Sequence, residues 1–120
     1  MESGEIQDLF VRWAIISELQ REGAKAAEVA QLWEEIVGHS VFTKLHPAAQ
    51  VKASYSLAKL YVDQLSEYQK AITLLTRTTL PLLEFDLNRS VGEWEIREPD
   101  LYDNAWYSLP RSLLKEAREK

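Results

Sequence analysis

Residues 56–75 read SLAKLYVDQLSEYQKAITLL: two apolar, helix-forming runs, a short polar break at Gln64–Glu67, and no glycine or proline. No other stretch constrains the fold as tightly. One stripe holds Val51, Tyr55, Ala58, Val62 and Leu65, and the next holds Tyr68, Ala71, Ile72, Leu75 and Thr79. Both recur at helical spacing. A linker this short forces two helices to lie antiparallel, so the segment predicts an αα-hairpin. Pro47 suits the first turn of the earlier helix, where its missing N–H would have had no partner. Ser66 opens S-E-Y-Q, which predicts a capping box between Ser66 and Gln69 at the start of the later one.

Gly23, Gly38, Pro47, Pro81, Gly92, Pro99 and Pro110 divide the remainder, and the intervals between them read mostly as helix. Helices are expected over about 6–22, 24–37, 47–65, 66–80 and 109–118. The first has a wide apolar arc, which predicts contact on more than one side. The second sets Ala26, Val29, Ala30, Trp33, Ile36 and Val37 on a single face. Residues 82–108 mix acids, aromatics, Gly92 and Pro99 and read as mostly irregular, with a short strand or turn allowed at Trp94–Arg97. Trp94, Tyr102, Trp106 and Tyr107 suit either a cap over the open end of a helical stack or an interface. The class is all-α: one domain of helical hairpins, as a short solenoid or a small bundle, with an aromatic C-terminal segment and a terminal helix.

At 120 residues one domain is expected, large enough for a core without covalent staples. There is no cysteine, which removes disulfides and thiolate chemistry and fits a reducing compartment. The acidic start MESGEIQDLF lacks the order of a signal peptide. No apolar run reaches the length of a membrane span. A cytoplasmic protein without membrane contact is the expectation.

The net charge of −5 is unevenly placed. Residues 1–45 hold eight acids and four bases, 46–80 two acids and four bases, and 81–120 nine acids and six bases. Only the middle segment would attract an anion. An acidic chain is a poor binder of phosphate backbones, so nucleic acid is disfavoured as a partner.

Laying the first hairpin on the second at an offset of 42 residues sets Ile15 on Leu57, Ile16 on Ala58 and Leu19 on Tyr61. It also sets Val29 on Ala71, Leu32 on Leu74 and Trp33 on Leu75. A period of that size is typical of stacked helical pairs; two amphipathic hairpins can also match by chance. Leu57-Ala58, Tyr61, Tyr68, Ala71, Leu75 and Pro81 give the second hairpin, about residues 52–81, a pattern that resembles a tetratricopeptide repeat. Residues 9–37 resemble it only loosely. The departures are an extra turn residue, Ser54 where the family prefers a large side chain, a turn without glycine, and Thr78 at a small-residue position.

The resemblance implies a groove lined by the first helix of each pair. By position it would present Lys52, Tyr55, Lys59, Val62 and Asp63, with Trp13 and Arg21 from the first pair. Two lysines seven residues apart with flanking aromatics suit an acidic or C-terminal peptide. Solvated lysines over a core containing Tyr55 and Trp13 are the alternative.

Catalytic chemistry finds little support. His39 and His46 are the only histidines. Glu35 and His39 share a metal-ligand spacing, but Gly38 falls between them and no further ligands follow. No glycine elbow or phosphate-cradling loop occurs. Neither cofactor nor metal is expected. The sequence therefore points to a non-catalytic adaptor, chaperone or assembly subunit that binds a peptide or partner helix and is able to self-associate. The alternative is a helical subunit of a nucleoprotein complex that touches nucleic acid through the basic 46–80 face.

Overall fold

The computed structural model describes residues 2–45, 47–82 and 104–120. Every regular element among them is helical. Helix α1 spans Glu2–Arg21, α2 Ala26–Val37, a 3-10 turn Phe42–Lys44 and α3 Pro47–Asp63. Helix α4 spans Tyr68–Leu74 and passes into a π-helical stretch at Leu75–Thr79; α5 spans Asn104–Glu119. No helix among the described residues is long and apolar enough to cross a membrane.

Helices adjacent in sequence pack on one another, and α5 also returns to α3. Helix α3 is therefore the centre, touched by α2, α4 and α5. Its side chains register that position: Val51, Ala53, Ser54 and Ala58 are fully buried, and Leu57, Tyr61 and Val62 nearly so. Gln50 ties the preceding turn to it, with Nε2 donating to the carbonyls of Leu45 (2.8 Å) and Thr43 (3.2 Å).

Helix α1 behaves differently from its expected contact on more than one side. Leu9 and Ile16 are fully buried, whereas Phe10, Val11 and Ile15 stay about half exposed. Its substantial packing is with α2. There the Trp13 and Trp33 rings meet edge-to-face, 5.0 Å between centroids. Arg12 adds a bridge, to Asp8 at 2.9 Å and to Glu35 at 3.3 Å.

Two left-handed residues close α1 and α3. Gly23 has φ +80°; its N–H reaches the Gln20 carbonyl, and the Ala24 N–H reaches the Leu19 carbonyl. That pairing is a Schellman ending, for which glycine carries no Cβ penalty. Ser66 has φ +53°, and the Glu67 N–H donates back to the Tyr61 carbonyl at 2.8 Å. The expected capping box is absent. The residue before α4 is Glu67, which makes no side-chain cap, and the Ser66 hydroxyl accepts from Tyr68 instead. Ser66 is thus spent on ending α3, and that leaves α4 to begin at Tyr68 rather than 66.

The π-helical stretch lies just before Pro81. A proline ring crowds the carbonyl four residues back and has no N–H to give it, and a wider i→i+5 turn is one way to absorb this. Leu80 N–H accordingly donates to the Leu75 carbonyl. The last helix begins at Asn104, earlier than the expected 109, and carries Pro110 inside it. Pro110 is fully buried; of the stripe that the sequence sets on one side of this helix, Leu113, Leu114 and Ala117 face the core, whereas Leu109 is exposed. Of the segment read as irregular, Leu82 belongs to the helical run that follows α4, and 104–108 belong to α5. Trp94, Tyr102 and the Trp94–Arg97 strand or turn lie outside the described residues.

Candidate functional site

Helices α2 and α4 both rest on α3 and leave a slot between them, with α3 as its floor. A cavity of about 460 Å³ occupies one end. Leu57 and Tyr61 of α3 form its base, and Glu34 and Val37 of α2 form one wall. The α4 wall presents Gln69, Lys70, Thr73 and Leu74, then Arg77 and Thr78 from the π-helical stretch. A second cavity, of about 360 Å³, shares Val37, Arg77 and Thr78 and extends past Phe42 and Gln50 to Pro81 and Leu82. The two adjoin at Val37, Arg77 and Thr78 and together make up the slot. From Gln50 to Tyr61 along its floor is roughly 16 Å at the rise of an α-helix.

Local sequence explains the walls. Gln69, Thr73, Arg77 and Pro81 recur at every fourth position, so they fall on one side of α4. The opposite side carries Ala71, Leu75 and Thr79, all fully buried. Thr79 is fixed there by a hydrogen bond: its hydroxyl donates to Ser54 Oγ at 2.7 Å, and Ser54 donates to the Gln50 carbonyl at 2.8 Å.

The electrostatics of the slot are asymmetric. Tyr61 is pushed up to about 12, first by burial and then by the charge of Glu34, a hydrogen bond with that carboxylate, and the charge of Glu67. Its hydroxyl therefore remains a proton donor, in the same cavity as the one carboxylate of the α2 wall. Lys70 Nζ stands 5.8 Å from the Tyr61 ring centroid and 3.9 Å from Glu67. Arg77 has no carboxylate partner among the described residues. Two exposed cations thus border an apolar floor on the α4 side.

The residues expected to form a groove are only partly brought together. A separate cavity of about 220 Å³ collects Tyr55, Lys59 and Asp63 with Gln20, Ser56, Leu60 and Gln64. Lys59 is bridged to Asp63 at 2.9 Å, and that bond is the chief reason its pKa is raised. Tyr55 is buried, which raises its hydroxyl. Glu116 of α5 acts on both groups through its charge, so α5 flanks this face. Val62 is buried in the core, and Lys52 is half-buried. Trp13 is engaged by Trp33, and Arg21 pairs with Glu18 at 3.2 Å. None of these four lines the 220 Å³ cavity.

Glu34, Lys70 and Arg77 were not among the expected site residues. In the sequence they look like ordinary charges on amphipathic helices, and only a repeating Gln69–Thr73–Arg77 row hinted at a shared face. Among the described residues no group of three His, Asp or Glu side chains is placed to hold a metal ion. His39 Nδ1 instead accepts from the Val41 N–H at 3.2 Å. Comparison with protein-family models, curated proteins and solved structures returned no match.

Proposed function

We propose that this chain is a non-catalytic protein-interaction domain, an adaptor or assembly subunit that seats a segment of another protein in the slot between α2 and α4. The observation that carries the reading is the slot itself. Apolar side chains of three helices, Val37, Leu57, Tyr61 and Leu74, converge on an open depression and alternate there with polar side chains of its walls and floor. Such a shape suits helix-in-groove recognition, where apolar anchors supply affinity and the rim supplies orientation.

The tetratricopeptide-like arrangement belongs to the same proposal. Several contacts support antiparallel hairpins. Trp13 meets Trp33 across the Gly23 turn, while Tyr61 with Lys70 and Ser54 with Thr79 match across the Ser66 turn. Burial supports the 42-residue correspondence at Ile16 with Ala58, Val29 with Ala71 and Trp33 with Leu75. It departs at Ile15, exposed where Leu57 is buried, as a helix at the end of a stack would be.

Thr73→Arg tests the reading by filling the larger of the two cavities from a half-buried position on the α4 wall. A tagged chain and this variant, matched in helical content by circular dichroism, are compared for proteins retained from native lysate with and without nuclease. A nuclease-resistant partner held by the parent chain and lost by the variant supports the slot. Equal retention by both contradicts it. Retention that disappears with nuclease favours a nucleoprotein role for the basic 46–80 face instead.

A further inference from the structure

The charges bordering the slot narrow what it accepts. The geometry points to one occupant, resting on the slot reading above: an amphipathic helix of another protein, about three turns long, acidic along the flank that faces α4. Its length follows from the floor, where Gln50, Leu57 and Tyr61 share one face of α3 over roughly 16 Å, about three helical turns. A fourth helix laid on three is also the simplest way to cover an apolar floor between two helical walls.

The flank follows from charge complementarity. Lys70 and Arg77 stand seven residues apart on the α4 wall and line the same cavity. Carboxylates seven residues apart on the incoming helix lie two turns apart on one side and match that spacing. Lys70 is held only loosely by Glu67, at 3.9 Å, and Arg77 has no carboxylate partner among the described residues. Both have hydrogen-bonding capacity to offer a ligand. Glu34 on the α2 wall repels acids on the far flank and interacts with Tyr61. The asymmetry sets the orientation of the helix as well as its charge.

The test uses the full chain and two synthetic peptides of roughly 15 residues. Each has leucines on one helical stripe; beside it, one carries two glutamates seven residues apart and the other two lysines. Fluorescence anisotropy should show the acidic peptide binding about tenfold tighter, with the gap closing as salt is raised. Lys70→Glu/Arg77→Glu should reverse the preference, an outcome that loss of folding cannot imitate. Equal affinity for both peptides, or a preference unchanged in the double variant, overturns the inference. If both bind equally and Thr73→Arg abolishes binding, charge selection falls while the slot stands. If neither peptide binds, or Thr73→Arg binds as the parent does, the inference and the slot reading fall together.

Discussion

Single residues set two properties of this molecule that can be measured directly. Gly23 and Ser66 both occupy the left-handed region, but only glycine does so without a Cβ penalty. Gly23→Ala should cost about 1 kcal/mol, while Ser66→Gly should stabilise by up to about 1 kcal/mol, less whatever freedom glycine gains in the unfolded chain. Nothing lies within 4 Å of a Cβ built on Gly23, so the cost there is conformational rather than steric. Urea denaturation of the two variants reads both signs. The second property concerns Tyr61, whose hydroxyl is raised to about 12 in the fold against about 10 in an unfolded chain. The folded state therefore favours the protonated phenol. The stability this confers is complete below about pH 10 and is lost as pH rises through the folded value. The fall in melting temperature between pH 9 and 12 should be shallower for Tyr61→Phe than for the parent; superimposable curves would contradict the assigned environment.

At the scale of elements, α3 and α4 are joined by more than apolar contact. Ser54 and Thr79 are fully buried and bonded to each other, one in α3 and one in the π-helical stretch. Ser54→Ala leaves the Thr79 hydroxyl short of a partner in the core, which costs about 1–3 kcal/mol, whereas Thr79→Val leaves Ser54 its bond to the Gln50 carbonyl and should cost less. Ser54→Ala with Thr79→Val should cost less than the sum of the singles. A coupling of about 1 kcal/mol is expected from a thermal double-mutant cycle, and additive effects would sever the link. This pair marks the limit of what was legible in the sequence. Thr79 was readable on the buried stripe of its helix from spacing alone. Ser54 stood out as small where the resemblance calls for a large side chain. That the two anomalies satisfy each other depends on a contact across 25 positions, which periodicity cannot supply. The capping box failed for a related reason. Its residues were correct for starting a helix, but Ser66 was needed to end the previous one.

At the scale of the whole molecule, the helical class and the core faces of α2, α3 and α4 followed from spacing because each of these helices buries its own stripe, whereas α1 buries only Leu9 and Ile16 of its wide arc. The slot did not follow from spacing, because its walls come from α2 and α4 and its floor from α3. The sequence favours the cation-bearing face of α3 instead. That face turned out to be partly internal, with Tyr55 and Val62 in the core and Lys59 occupied by Asp63. The two faces make rival claims that one measurement separates: an amide chemical-shift titration of the isotope-labelled chain with the acidic amphipathic peptide. Seating of the peptide in the slot should shift the amides of Glu34–Gly38, of Phe42, Gln50, Leu57 and Tyr61, and of Gln69–Thr78. Shifts confined to Gln20, Tyr55, Ser56, Lys59 and Asp63, with the α2 and α4 walls unmoved, would contradict it.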